Sequence, residues 1–361
     1  MAPLVVTKDE IVRSAFDVVE LTECMRTAFI ALASGGAYLA PVSHVRVEGQ
    51  GGSAGGDACI KSGYLHQDEI WVVKVAGGFP GNAAVGLSNS QGVVLCFSRR
   101  TGQLEAVLAD DGHLTDVRTA AAAALCVRLF SPRPSVVAIY GTGVVAKLVA
   151  EYVPQVLAAD AALKLVVVSR TQASADAFAA SAAGWGGGVA GTTHAALAAA
   201  RAGAGSGGDA DVQAALDADV VITCTPSTEA IVHDVIDGAL VIALGADGAG
   251  KRELGPRVLR RASVVLCDSV VQCVAFGECA SALADESLDA AKVVHLGKFF
   301  AQETAAAAIP GRTIVCDLTG VAVQDVAIAK VALAKLAAAR AAHPAASPPA
   351  DRAPLGDSPD I

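Results

Sequence analysis

Aromatic side chains are scarce in this sequence: Phe, Trp and Tyr make up 4% of 361 residues. With 53% of the chain hydrophobic, a large core must be built from Ala, Val, Leu and Ile. Charge is also sparse, at 17%, and sums to -9 with no cluster of Lys and Arg. That argues against nucleic acid or an anionic membrane as the main partner. The nine cysteines form no Cys-x-x-Cys pair and no His/Cys cluster at zinc spacing, so no metal site is expected. Most lie inside apolar runs, such as Cys224 in VVITCT and Cys267 in SVVLCDS. They read as buried free thiols in a reducing compartment. The N-terminus lacks a basic segment followed by an apolar one, so no signal peptide is expected. Apolar runs are strand-sized or broken by Gly and charge, so no membrane span is expected and cytoplasm is the default location.

What is present changes character along the chain. Residues 8–34 carry apolar positions at helical spacing, enough for one helix or two. Short alternating Val-rich segments follow, from SHVRVE to GQLEAVL, with Gly or Asn turns between them; they predict an antiparallel β-meander. LTDVRTAAAAALCVRLF predicts a long Ala-rich helix capped by Thr115 or Asp116, placing Arg118 in its first turn and ending at SPRP. From Ser135 come five continuous apolar runs, SVVAIY, LKLVVVS, DVVITCT, ALVIAL and SVVLCDS, with GGGVAGTT as a weaker sixth. Continuous runs suit strands buried on both faces of a parallel sheet. The stretch from Ala195 to Leu216 predicts a frayed helix and loop. After residue 311 a strand, a turn and a helix are expected to return to the first domain, and the Pro-rich tail 346–361 reads as disordered. The fold class expected is α/β, with a Rossmann-type domain over 131–310 inserted into a discontinuous α+β domain made of 1–130 plus 311–345.

The first apolar run continues as SVVAIYGTGVVAKLV, which holds Gly141, Gly143 and Ala146 in a G-x-G-x-x-A pattern, with Thr142 and Val144 inside the same turn. A strand before it and a helix after it are the context that the motif requires. One Gly makes the tight turn, the second admits a pyrophosphate to the backbone, and Ala146 permits close helix packing. The helix N-terminus then offers N–H groups and a positive dipole end to the phosphates. The second strand ends in Ser169, Arg170 and Thr171, where NAD sites usually place Asp or Glu. A guanidinium with two hydroxyls suits a 2′-phosphate, so NADP(H) is favoured over NAD(H).

Four cations sit oddly: Arg46, Lys61 and Lys74 within apolar β segments, and Arg118 in the Ala-rich helix. Beside a dinucleotide domain they predict an anion site, because a carboxylate is held best by paired cationic donors. KVAGGFPGN, LTDVRTAAAAAL, IYGTGVVA, VVVSRT, TCTPST, LGADGAGKREL, CDSVVQCVAFGE and GVAVQD, in that order, make the chain similar to the ornithine cyclodeaminase/mu-crystallin family from about residue 5 to 340. The resemblance implies a homodimer whose split domain binds substrate and dimerises, and whose inner domain holds a nicotinamide cofactor. It implies hydride transfer at the α-carbon of a small amino or imino acid. By position it implies that Arg46, Lys74 and Arg118 bind the substrate carboxylate. It places Asn89, Thr225 and Lys251 near the cofactor, together with Arg118 and the adjoining Thr119, and makes Asp247 the acid that moves a proton.

Two departures from the family stand out. Lys61 occupies the place of a Glu that reads the distal amino group in ornithine-specific members; it would repel an ammonium and attract a second carboxylate, with Asp57 nearby as the alternative acid. Leu318 replaces a Ser near the nicotinamide, with Thr319 as its substitute. From the residues alone, Asp247 in LVIALGADGAGKREL is open as helix cap, turn residue or proton-transfer group; the strand end it follows faces a ligand crevice. The expected function is an NAD(P)-dependent amino-acid dehydrogenase or imine reductase. The alternatives are a cyclodeaminase releasing ammonia and a non-catalytic, crystallin-like binding protein.

Overall fold

A computed structural model describes residues 2–50, 55–158, 163–182, 189–202, 209–301 and 311–342. The disorder expected of 346–361 lies outside the described residues. Seven strands form one sheet: β1 (Leu4–Thr7), β2 (Ala37–Leu39), β3 (Ser43–Val47), β4 (Gly56–Leu65), β5 (Ile70–Gly78), β6 (Ser90–Ser98) and β7 (Leu104–Ala109). Their order is β1-β7-β6-β5-β4-β2, with β3 also on β4, and all pairs are antiparallel except β1 with β7. The alternating pattern thus gives the expected meander.

Strand period decides which side chains meet. Asp57, Cys59, Lys61, Gly63 and Leu65 share one face of β4. Register sets Arg46 opposite Asp57, His44 opposite Cys59, and Lys74 opposite Lys61. Helix Ala322–Ala342 packs on this face, so the C-terminal helix does return to the first domain. On the other face Trp71 stacks on Phe97 with centroids 4.3 Å apart, and the Arg99 guanidinium lies 4.3 Å from the centre of the Tyr64 ring.

Eight parallel strands form the second sheet: β8 (Val136–Tyr140), β9 (Lys164–Ser169), β10 (Val189–Thr193), β11 (Val220–Thr223), β12 (Leu240–Ala243), β13 (Val264–Cys267), β14 (Val293–His295) and β15 (Ile314–Asp317). Their order is β10-β9-β8-β11-β12-β15-β13-β14. Val137, Ile139, Val220 and Ile222 point into one core, while Ala138, Tyr140 and Val221 point into the other. Both faces are covered, which is why these strands read as continuous apolar runs. The chain leaves β8 toward β9 and β10 on one side and resumes with β11 on the other. That reversal opens a crevice at the carboxyl ends of β8 and β11. The fold is the expected α/β arrangement, with the parallel domain inserted in the α+β one.

The structure corrects the sequence reading in three places. Strand Ile314–Asp317, expected in the first domain, lies between β12 and β13 of the parallel sheet, so the boundary drawn at 311 moves past Asp317. IVCD is another run buried at every position, and only a two-sided sheet can bury it so. The Ala-rich helix begins earlier than expected, at His113, with Gly112 as N-cap; Asp110 Oδ2 accepts from the Leu114 N–H at 2.7 Å. Neither Thr115 nor Asp116 caps it, and Arg118 lies in the second turn. The frayed segment holds two helices, His194–Arg201 and Ala210–Leu216, and residues 203–208 between them lie outside the described set.

Helix His113–Phe130 joins the two domains. It packs against helices Val18–Ala33, Val144–Val156 and Ala322–Ala342. Ala120 to Ala124 are all buried. Methyl side chains let several backbones approach one helix closely, which larger residues would prevent.

Candidate active site

The crevice at the reversal is a cleft of about 610 Å³. It brings together Asn89, Gly141, Thr142, Gly143, Ser169, Arg170 and Thr225 of the expected residues. Gly141 has φ +130°, and a Cβ there would stand 2.9 Å from the Cys224 carbonyl oxygen. Nothing lies within 4 Å of a Cβ built on Gly143, the N-cap of helix Val144–Val156. A tight turn, an open approach and free helix N–H groups fit a dinucleotide pyrophosphate. Ala146 is buried, as close helix packing requires. Val144 opens the helix and is exposed.

Other expected contacts are engaged elsewhere. Thr171 caps helix Gln172–Ser181, its oxygen accepting from the Ser174 N–H. Thr119 donates its hydroxyl to the Thr115 carbonyl at 2.7 Å. Thr225 lines the cleft, yet its N–H and hydroxyl both donate to Glu253 Oε1 at 2.7 Å. Glu253 also accepts from Thr223 Oγ1 and the Gly245 N–H at 2.7 Å. This one buried carboxylate ties together the ends of β11 and β12. It was not singled out from sequence, nor were the cleft residues His194, Cys224 and Pro226 to Glu229. A lone Glu after a Gly-rich turn carries no periodic signal.

The second cluster lies under helix Ala322–Ala342. Lys61, Lys74 and Arg118 are 3%, 2% and 6% exposed, and the last two pair with Asp325, at 1%. Lys74 Nζ stands 3.3 Å from Asp325 Oδ2, and Arg118 Nε 3.4 Å from Oδ1. Both are longer than charge-assisted hydrogen bonds, so Asp325 leaves donors of both cations unsaturated. Arg118 also donates to Gln324 Oε1 at 3.1 Å. Lys61 Nζ donates to the Thr319 and Gly320 carbonyls at 2.8 and 2.6 Å. A Cβ on Gly320 would meet Arg118 Nη1 at 2.7 Å, so the three cations are neighbours.

Burial, together with the like charges of Arg118 and Lys61, brings the Lys74 ammonium down to about 8 despite Asp325. The cluster has more positive charge than it can balance, a field suited to an anion. Arg46 shares the face but is exposed at its rim. Thr319 donates to Asp268 Oδ1 at 3.1 Å and accepts from Gln272 Nε2 at 3.1 Å, holding the loop that presents the two carbonyls to Lys61.

Asp247 follows β12 in a turn, and the next helix is Pro256–Arg261 with Gly255 as its N-cap, so Asp247 caps no helix. Its Oδ1 accepts from Lys251 Nζ at 2.6 Å, and its side chain is 48% exposed. Burial acts to raise its carboxyl, but the Lys251 ammonium outweighs that and Lys61 and Lys74 add to it, leaving it below its usual value. It is an ionised, reachable base within the field of the cation cluster. Lys251 is thus engaged with Asp247 and does not line the cleft. A Cβ on the adjoining Gly248 would stand 3.5 Å from His44 of β3, so the Asp247 turn meets the cation face of the meander. His44 was not foreseen from sequence. Asp57 lies exposed opposite Arg46, apart from the buried ammonium of Lys61.

The sequence profile of the ornithine cyclodeaminase/mu-crystallin family matches residues 2–339. A protein of Rhizobium meliloti (strain 1021) named as a dehydrogenase is 31% identical over 316 residues, 85% of this chain and 87% of that one. An archaeal alanine dehydrogenase dimer with bound NAD has a TM-score of 0.75 at 25% identity, over 94% of this chain and 98% of that one. The iminosuccinate reductase of Paracoccus denitrificans in complex with NAD+ has a TM-score of 0.75 at 26% identity, over 94% and 97%.

Proposed function

The chain belongs to the ornithine cyclodeaminase/mu-crystallin family, and from that premise we propose that it is an NAD(P)-dependent oxidoreductase acting at the α-carbon of a small amino or imino acid, as an amino-acid dehydrogenase or imine reductase. The observation that carries this reading is the convergence of Lys61, Lys74 and Arg118 beside a half-exposed, ionised Asp247. When bound, a nicotinamide dinucleotide supplies or accepts the hydride. Lys74 and Arg118 hold the α-carboxylate and so fix the orientation of the α-carbon. Arg46, exposed on the same face, adds a cation at the rim. Asp247 moves a proton to or from the substrate nitrogen, and Lys251 keeps it ionised and aimed. The free N–H groups after Gly143 receive the pyrophosphate, and Asn89 reaches the cleft from the meander.

Arg170 is exposed at the cleft, next to the buried Ser169, and supports NADP(H) over NAD(H). We infer a homodimer through the outer face of the meander, where Tyr64, Trp71 and Phe97 are only half-buried. Among the described residues no helix is long and apolar enough to cross a membrane. Nine free thiols suit a reducing compartment, and cytoplasm is the location we infer.

The test follows NADPH and NADH oxidation with small α-keto acids plus ammonia and with cyclic imines. Turnover with one of them is expected, with the lower KM for NADPH. Asp247→Asn should lower kcat by about 10²–10⁴-fold while cofactor affinity stays nearly unchanged. Conversion of ornithine to proline and ammonia with only catalytic NAD would establish a cyclodeaminase instead. Lys61 argues against that outcome, because a distal ammonium would meet its charge. Cofactor binding without any turnover would mean a binding protein.

A further inference from the structure

Behind the loop that holds Lys61 lies a second cluster, which neither the cofactor nor the carboxylate site uses. Cys267 ends β13, Cys273 stands in helix Val270–Phe276, Cys279 stands in helix Glu278–Ala284, and Asp317 ends β15. All four are buried. One ligand atom each from Cys267, Cys273 and Asp317 lies within 4.8 Å of the others. Cys267 Sγ and Cys279 Sγ are 3.7 Å apart. Thiolates about 2.3 Å from a tetrahedral zinc ion stand about 3.8 Å from each other, so ligand atoms within 4.8 Å need only a small inward shift to share an ion.

A second, independent observation concerns Asp317. It is 1% exposed, and its Oδ1 has no hydrogen-bond partner. Its Oδ2 accepts from the Cys279 N–H at 3.0 Å, which fixes the carboxylate, and one of its oxygens lies within 4.8 Å of both the Cys267 and Cys273 sulfurs. The buried neighbours Asp268 and Glu278 are instead satisfied by N–H donors, from Gly320 and Ser269 and from Glu253 and Leu254. A buried carboxylate oxygen without any partner is costly, and a metal ion would supply one.

We propose that Cys267, Cys273 and Asp317 bind a thiophilic divalent cation of the zinc class. On binding, each ligating thiol gives its proton to solvent and its sulfur lone pair to the metal; no electron is transferred and no oxidant is needed. Among the described residues these three supply the ligand atoms, and all three are buried. The site also fixes the active-site loop: Asp317 leads into Thr319 and Gly320, whose carbonyls hold Lys61, and Asp268 accepts from the Gly320 N–H at 2.6 Å. The spacing Cys-x5-Cys of Cys267 and Cys273, with Asp317 far along the chain, resembles no zinc motif, which is why no metal site is expected from the sequence.

The test is metal analysis of the full-length protein purified without chelator, followed by Co²⁺ substitution. About one equivalent of metal per chain is expected, with thiolate-to-cobalt charge-transfer absorption in the near ultraviolet and a Tm that falls by several degrees on chelation. Cys273→Ala should lose most of the metal and the absorption band. Asp317→Asn, close in shape and neutral, separates the two accounts even if Cys273→Ala folds poorly. If Asp317 is a ligand, the variant binds Zn²⁺ at least tenfold more weakly. If it is only a protonated carboxyl, the variant keeps its Tm whether or not Zn²⁺ is present, and the proposal fails. Wild-type protein with under about a tenth of an equivalent of metal and no cobalt–thiolate band, even when refolded with the metal, would also overturn it.

Discussion

The two sheets place chemistry in opposite ways. In the parallel sheet β11, β12, β13 and β15 are buried at every position, and the chemistry sits where strands stop: Gly141 after β8, Ser169 at the end of β9, Thr225 after β11 and Asp247 after β12. In the meander, charges sit mid-strand on one face, with Lys61 opposite Lys74 under a helix that carries their counter-ion. A strand end offers backbone groups at little cost to stability. A buried ammonium mid-strand is tolerated only with a partner.

The largest effect expected from this contrast is in the meander. Asp325→Asn leaves Lys74 and Arg118 without a carboxylate and should cost about 3–5 kcal/mol of stability, read by denaturant unfolding. A loss under about 1 kcal/mol would mean that the cations need no counter-ion, and the contrast would collapse. At a strand end, Gly141→Ala puts a Cβ 2.9 Å from the Cys224 carbonyl oxygen at a strained φ. It should cost about 1–3 kcal/mol and weaken dinucleotide binding, measured by calorimetry, without altering any affinity for free amino acids.

pH sharpens the comparison next. The folded Lys74 ammonium titrates near 8, below its ordinary value of 10.5. The unfolded chain binds that proton first as pH falls, so burying Lys74 costs stability below pH 8, and the cost fades as pH rises from about 8 to 10.5. KM for an anionic substrate should run the other way, flat below about 8 and rising above it, with cofactor affinity unaffected. The smallest expected effect is at Thr171, where Thr171→Ala should remove a helix cap worth about 1 kcal/mol, seen as a small fall in Tm.

Legibility in the sequence follows the same division. Strand-end chemistry is local: a Gly pattern between a strand and a helix is visible in six residues, and the cleft does contain Gly141, Thr142 and Gly143. Mid-strand charges were visible as anomalies in apolar segments, and Lys61, Lys74 and Arg118 do meet. Their counter-ion was not singled out, because Asp325 lies on a different element and only packing brings it there. Glu253 and His44 escaped for the same reason. Strand Ile314–Asp317 was given to the wrong domain, because a short apolar run does not show which sheet it joins. Its pairing with β12 and β13 depends on a crossover that leaves no mark in four residues.

The counter-ion arrangement also has a consequence in time. Arg118 precedes its partner Gln324 by 206 residues, and the whole inserted domain is synthesised in between. While the ribosome is still making that insert, Lys74 and Arg118 lack Asp325, and the face of β4 and β5 lacks helix Ala322–Ala342. Helix Ala322–Ala342 also contributes Val323, Val326 and Ile328 to the core that holds Val137 and Ile139, so both sheets gain cover when it docks. The carboxylate site is therefore complete only once helix Ala322–Ala342 lies on β4 and β5 and brings Asp325 to Lys74 and Arg118.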